Sequence, residues 1–85
     1  MKDKNINSFE VEFYSKEEYK IESYLEYPIK YDKKKNIFIL RNENNKIIYK
    51  GDTIDDCSEW LLKQLEPKYP NYILTIIKYY SSIDK

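Results

Sequence analysis

The chain has 85 residues, as many acidic as basic side chains, and a hydrophobic content of 41%. These values predict one folded domain over residues 1–85, frayed only at 1–8 and 81–85, and they exclude a largely disordered chain. We expect a soluble cytoplasmic protein, because no apolar run is long enough to cross a membrane, no secretory signal is visible and the single cysteine excludes an internal disulfide.

The first predicted strand covers residues 9–13, in which apolar residues alternate with glutamates. The next segment, residues 15–31, is ambiguous. Read with a period of two, it places apolar or aromatic residues at six of seven alternate positions, which predicts a second strand after a turn at 15–18. Read as a helix, it begins with a capping box formed by Ser15 and Glu18, and this alternative stays open.

Two short apolar runs, at residues 37–40 and 47–49, predict a hairpin made of the third and fourth strands. The connecting turn at 42–45 contains three asparagines. Asparagine accepts the left-handed backbone conformation that a tight turn requires. A basic loop at 32–36 separates the second strand from the third.

A helix is predicted over residues 53–66, after Gly51 ends the fourth strand. Thr53 is a suitable N-cap for this helix. Four apolar residues at helical spacing form its predicted buried side: Ile54, Cys57, Leu61 and Leu65. Two prolines then end the helix, and residues 72–80 form a last strand whose two apolar faces are typical of an interior strand.

The predicted fold class is therefore α+β: an antiparallel sheet of four to five strands with one main helix on one face, in the order ββββαβ. A helical segment 15–31 would change this order to βαββαβ, the ferredoxin-like arrangement. One helix covers only one face of the sheet. The opposite face of the last strand is therefore expected to be buried by residues 19–31 folding over it, by a second copy of the chain, or by another partner.

Enzymatic chemistry is not expected, and neither a catalytic residue, a metal nor a cofactor is predicted. Histidine is absent and Gly51 is the one glycine, which excludes the usual general base at neutral pH and the glycine-rich phosphate loops. Cys57 is the one candidate nucleophile, but its place on the apolar side of the helix favours a buried, unreactive thiol. Four carboxylates share helical spacing: Asp52, Asp55, Asp56 and Glu59. Capping and the helix dipole explain three of the four without bound Mg²⁺ or Ca²⁺, so no metal is predicted there.

Charge is distributed in blocks. Residues 10–26 hold six glutamates and two lysines, residues 30–50 hold seven basic and two acidic residues, and residues 52–66 hold five acidic residues and one lysine. The basic block includes aromatic residues, as single-strand-binding proteins do, but a single arginine and zero net charge favour a protein partner. The predicted partner-binding residues come from the basic loop, the helix flank and the last strand: Tyr31, Lys33, Lys34, Lys35, Trp60, Tyr72 and Tyr80.

The function predicted from these features is that of a small non-catalytic accessory or inhibitor protein that binds another protein. Lys, Asn, Ile and Tyr make up about half of the chain and Ala is absent, which indicates an AT-rich genome. A compact chain of this composition suits a protein of a phage or mobile element that is directed at a host enzyme or defence system. Two alternatives stay open: a nucleic-acid-binding module that uses the basic hairpin 30–50, and a structural homo-oligomer subunit such as one half of a dimer.

Overall fold

A computed structural model describes residues 6–80 of the chain. It contains a five-stranded antiparallel sheet, one α-helix and a short 3-10 helix, in the predicted order ββββαβ. The elements are β1 (Ile6–Ser15), β2 (Ile21–Asp32), β3 (Ile37–Arg41), β4 (Ile47–Gly51), α1 (Ile54–Leu65), the 3-10 helix (Glu66–Lys68) and β5 (Tyr72–Tyr80). No helix in this part of the chain has the length and apolar character needed to cross a membrane.

The strands lie side by side in the order β4-β3-β2-β1-β5. The chain runs outward from β1 to β4, passes through α1, and returns to place β5 beside β1. β5 is therefore an edge strand, and the prediction of an interior strand is wrong. The apolar sequence of β5 indicates only that its side chains are partly covered. The number of strands that pair with β5 depends instead on where α1 returns the chain to the sheet.

The ambiguous segment after Ser15 forms a turn followed by a strand, so the helical alternative is wrong. The Ser15 hydroxyl accepts hydrogen bonds from the amides of Glu17 and Glu18, both at 3.2 Å, and its carbonyl accepts from the Tyr19 amide at 2.8 Å. These bonds close a tight turn in which Tyr19 has a φ of 57°. Tyr19 and Ile21 are exposed, contrary to the predicted inward pattern, because Tyr19 lies in the turn and the pairing of β1 with β2 is irregular beside Ile21.

The core lies between α1 and one face of the sheet. Phe9 pairs with Tyr27 across β1 and β2, and Ile29 pairs with Leu40 across β2 and β3, so all four side chains point to the same face. The helix contributes the predicted stripe, which is buried: Ile54, Cys57, Leu61 and Leu65. The Thr53 hydroxyl accepts a hydrogen bond from the Asp56 amide at 3.0 Å, which confirms the predicted N-cap.

The turns follow the sequence chemistry. Asn45 in the β3–β4 turn has a φ of 65° and Asn36 at the end of the basic loop has a φ of 59°, as expected for asparagine in the left-handed region. Residues 6–8, which belong to the segment predicted to fray, form the start of β1, and both Ile6 and Ser8 are buried. Residues 1–5 and 81–85, which were also predicted to fray, lie outside the described part of the chain.

Candidate functional site

No helix within residues 6–80 covers the side of the sheet that faces away from α1. Glu10 pairs with Glu26 on β2 and with Ile77 on β5, so these three side chains share that side. Segment 19–31 does not fold over this side, as one expectation had it, because it supplies β2 of the sheet itself. We call this side the open face; its residues include Glu10, Glu12, Tyr14, Tyr24, Glu26, Lys30, Ile39, Arg41, Lys50, Ile73, Thr75, Ile77 and Tyr79.

One half of the open face is acidic. It comprises β1, β5 and the first part of β2, and it carries the carboxylates of Glu10, Glu12 and Glu26. The two ion pairs found among residues 6–80, Lys20–Glu18 and Lys78–Asp55, include none of these three glutamates. Two of the glutamates, Glu10 and Glu26, are direct cross-strand partners, an arrangement of like charges that destabilises a sheet. In the described chain this half of the face therefore carries negative charge that is not neutralised by a direct ion pair.

Tyrosine hydroxyls order two of these carboxylates. The Tyr79 hydroxyl donates to Glu10 Oε1 at 2.7 Å, and the Tyr14 hydroxyl donates to Glu12 Oε1 at 3.0 Å. In each case the hydrogen bond to the carboxylate is the main reason why the pKa of the tyrosine is raised above its usual 10.0. Tyr24, which pairs with Glu12, is 63% exposed. Aromatic rings and oriented carboxylates thus alternate across this half of the face.

The other half of the open face is basic. Lys30 and Ile39 are cross-strand partners on β2 and β3, and Ile39 pairs in turn with Lys50 on β4. Beside them lies an open hollow of about 350 Å³. Its lining combines this half of the face with the β2–β3 loop: Lys30, Tyr31, Asp32, Lys33, Lys34, Ile39 and Arg41.

The structure brings together three of the seven predicted partner-binding residues. Tyr31, Lys33 and Lys34 line the hollow, whereas Lys35 lies in the same loop without lining it. The ring of Tyr31 packs against Phe38 with centroids 5.0 Å apart, and its hydroxyl donates to the side-chain carbonyl of Asn36. Tyr31 therefore lines the hollow while its side chain is held in place by Phe38 and Asn36.

The other three predicted residues are separated from this loop and from one another. Trp60 stacks on Tyr49 with ring centroids 4.6 Å apart, which joins α1 to β4. Tyr72 and Tyr80 lie at opposite ends of β5, about 26 Å apart for eight steps along a strand. Tyr72 packs edge-on against Phe13 and its hydroxyl donates to Glu22, while Tyr80 is exposed. The seven residues therefore do not form one surface.

None of the open-face residues was among the predicted partner-binding residues; those left out include Glu10, Glu12, Tyr24 and Lys30. The alternation of residues 9–13 already directs Glu10 and Glu12 away from the core, so that signal was present in the sequence. It did not show that a basic half would lie beside them, because that depends on β3 and β4 pairing next to β2.

Cys57 and its acidic neighbours have structural roles. Cys57 is fully buried, and burial, with a further contribution from Asp56, raises the pKa of its thiol to about 11. The Asp56 carboxylate accepts the Tyr49 hydroxyl at 3.1 and 3.2 Å, and Asp55 pairs with Lys78 at 2.9 Å. Within residues 6–80 no cluster of three or more carboxylate or thiol groups is arranged to hold a metal ion.

No protein-family model, curated protein or solved structure matches this chain.

Proposed function

We propose that this chain is a non-catalytic protein-binding module whose contact surface is the open face. One observation carries the proposal: the face opposite α1 exposes aromatic and aliphatic side chains together with ordered carboxylates. Exposed tyrosines are efficient anchors, because they bury a large area and lose little side-chain entropy on binding. The narrower prediction, an inhibitor of a host enzyme or defence system, still rests on size and composition alone.

The charge pattern favours a protein partner over a polyanion. The acidic half repels phosphate, while the adjacent basic half attracts carboxylates, so the complement of this face is a surface with its own acidic and basic parts. Complementary charge mainly speeds association and fixes orientation, whereas the exposed rings slow dissociation. Tyr24 is an exposed ring beside the carboxylates of Glu12 and Glu26, so this position combines an aromatic anchor with negative charge.

Site-specific photo-crosslinking tests this proposal. A photoreactive phenylalanine analogue replaces Tyr24 on the open face, and the matched control places it at Gln64, an exposed position of α1. In lysate of the natural host, we expect the Tyr24 variant to give a discrete adduct with another protein, while the Gln64 variant gives none. Equal labelling from both positions, or an adduct from Gln64 alone, would contradict the proposal.

A second candidate function, nucleic-acid binding, is favoured by the basic hollow alone. Lys30, Lys33, Lys34 and Arg41 converge there. Retention on heparin and on a mixed single-stranded oligonucleotide across a salt series tests this candidate. Substitution of Lys33 and Lys34 by Glu should abolish retention if the candidate is correct. Elution of this variant at the same salt concentration as the unmodified protein would reject the candidate.

A further inference from the structure

β5 offers a long edge with few of the features that usually protect one. It has nine residues, contains no proline, and pairs with β1 without interruption from Ser8 to Ser15. The opposite edge, β4, has five residues and an irregularity in its pairing beside Leu40 and Arg41. Short edges, bulges and edge lysines are the devices by which proteins prevent edge-to-edge association. Of these, β5 has only Lys78, whose amine is paired with Asp55 of α1 at 2.9 Å.

The free main-chain groups of β5 can be assigned from the hairpin. The Ser15 amide donates to the Lys20 carbonyl, and the Ser15 carbonyl accepts from the Tyr19 amide, so the main chain of Ser15 faces β2. Alternation along β1 then turns the groups of Glu10, Glu12 and Tyr14 toward β5, where their partners are Ile77, Thr75 and Ile73.

The intervening residues of β5 therefore present their N–H and C=O groups to the outer edge. These residues are Leu74, Ile76 and Lys78. The Tyr72 amide fits this assignment, because it donates to the Tyr69 carbonyl at 3.2 Å and not to β1.

We propose that the occupant of this edge is a second copy of the chain, with the two β5 strands antiparallel and Ile76 opposite Ile76. The sequence of β5 is self-complementary in this register. Ile73 faces Tyr79 of the second copy, Thr75 faces Ile77, and the single charged residue, Lys78, faces Leu74. Aromatic and β-branched residues make favourable cross-strand pairs, and no like charges oppose each other.

The edge supplies enough bonding for a specific contact. Three N–H and three C=O groups from each copy give about six hydrogen bonds, within the usual range for a protein interface. A net charge of zero removes long-range repulsion between identical copies. Stacking of two open faces is a worse arrangement, since it buries Glu10, Glu12 and Glu26 at a high desolvation cost.

This inference does not depend on the proposed function. Pairing through β5 leaves both open faces uncovered, on the same side of one continuous ten-stranded sheet. A crosslink from Tyr24 to a foreign protein and a dimer formed through β5 are therefore separate results, and either can fail without the other.

Hydrogen exchange followed by NMR on the unmodified protein tests the inference at residue level. Between a dilute and a concentrated sample, the amides of Leu74, Ile76 and Lys78 should exchange at least about tenfold more slowly in the concentrated one. The amides of Ile73 and Ile77 are bonded to β1 in either state and should not change. Identical exchange of the first three amides at both concentrations, or a sedimentation mass that remains that of one chain, would overturn the inference.

A pair of variants tests the register. Ile73→Lys combined with Tyr79→Lys places lysine opposite lysine twice, and we expect the dimer dissociation constant to rise by at least about tenfold. The matched control is Ile47→Lys on the β4 edge, because Ile47 and Ile73 are both 42% exposed. Circular dichroism confirms that each variant is folded. The β5 pairing would be rejected if Ile47→Lys dissociated the dimer. It would also be rejected if the double variant were folded and its dimer dissociation constant were unchanged.

Discussion

At Gly51, β4 lies in close contact with side chains of α1. A Cβ atom on Gly51 would lie 2.9 Å from both Asp56 Oδ2 and Cys57 Sγ, and 3.1 Å from the ring of Tyr49. Neighbours at this distance must move, and those around Gly51 are held by the Tyr49–Asp56 hydrogen bonds. We predict that Gly51→Ala lowers the free energy of unfolding by about 1–3 kcal/mol, as overpacking of a core does.

A urea titration of the Gly51 variant measures this loss. Ser58→Ala is a suitable control, because Ser58 lies on the same helix, is only partly buried, and donates one hydrogen bond to its own helix. An unchanged midpoint for Gly51→Ala would show that β4 and α1 are packed more loosely than these distances indicate.

Cys57 should be chemically inert in the folded protein. Its thiol is fully buried and its pKa is raised to about 11, so the reactive thiolate is scarce at neutral pH. We predict that a thiol reagent labels the native chain at least about a hundredfold more slowly than the denatured chain, given a rise of about two pKa units from 9.0 together with burial. Rapid labelling without denaturant would contradict the buried position and return Cys57 to consideration as a nucleophile.

At the scale of the element, α1 is held by its apolar stripe more than by its cap. Leu61 is 1% exposed, whereas Thr53 contributes one hydrogen bond to the Asp56 amide. We predict that Leu61→Ala lowers the free energy of unfolding by about 2–4 kcal/mol and that Thr53→Ala lowers it by about 1 kcal/mol. Chemical denaturation of the two variants side by side checks the order, and a larger effect at Thr53 would refute this register of the helix.

The pairing of β1 with β2 contains an unfavourable contact that a single substitution should relieve. Glu10 and Glu26 are direct partners on the open face. Glu26→Lys replaces like charges by opposite ones, and we predict a gain of about 0.5–1 kcal/mol in the free energy of unfolding. Thermal melting at low and high salt measures this gain, which should shrink as salt screens the pair.

A gain of stability at Glu26 bears on function as well. Proteins retain unfavourable contacts where binding requires them, so the stabilised variant should crosslink less efficiently through Tyr24 if the open face is the contact surface. Glu59→Lys on the exposed side of α1 changes charge by the same amount and is the control. If the Glu26→Lys variant is more stable and still crosslinks fully through Tyr24, the contact between Glu10 and Glu26 is not needed for binding.

At the scale of the whole molecule, the titrating groups indicate sensitivity to base. Burial raises the pKa of Tyr27 and Tyr49, hydrogen bonds to carboxylates raise the pKa of Tyr14, Tyr72 and Tyr79, and the thiol of Cys57 follows the same direction. A raised pKa means that the folded state holds its proton more tightly than the unfolded state does. The stabilisation is therefore complete below about pH 9 and is lost as the pH rises through 9 to 11 and above.

The expected result is a urea midpoint that is constant from neutral pH to about pH 9 and then falls steadily. Tyr49→Phe removes one of the titrating groups, so its decline should be shallower than that of the unmodified protein. A stability that stays level or rises between pH 9 and 11 would show that these hydroxyls are as free in the folded chain as in the unfolded one.

Much of the element structure is local information, and it was predictable. Period-two alternation identified β1, the apolar runs identified β3 and β4, and the spacing of Ile54, Cys57 and Leu61 with the Thr53 cap identified α1. These signals succeed because a side chain's direction depends on the backbone period of its own segment. The turn after Ser15 was less clear, since the same hydroxyl caps either a helix or a tight turn and its choice depends on how β2 pairs.

The candidate site was predictable only in parts. Lys33 and Lys34 were identified from the basic loop, but Trp60 and Tyr72 were grouped with them although both pack against neighbours elsewhere. Aromatic content alone does not tell a ring in an interface from a ring at the margin of a core. That distinction needs the neighbours of each ring, such as Tyr49 beneath Trp60.

The sequence by itself determined the class of fold, the elements other than β2, the buried stripe of α1 and the blocks of charge. Only the tertiary structure decided that β5 is an edge, that the face opposite α1 is open, and that this face has an acidic and a basic half. The physical reason is the range of the interactions. Side-chain direction is set within a few residues, whereas strand neighbours are set by the pairing of β1 with β5, which joins residues 57 to 74 positions apart.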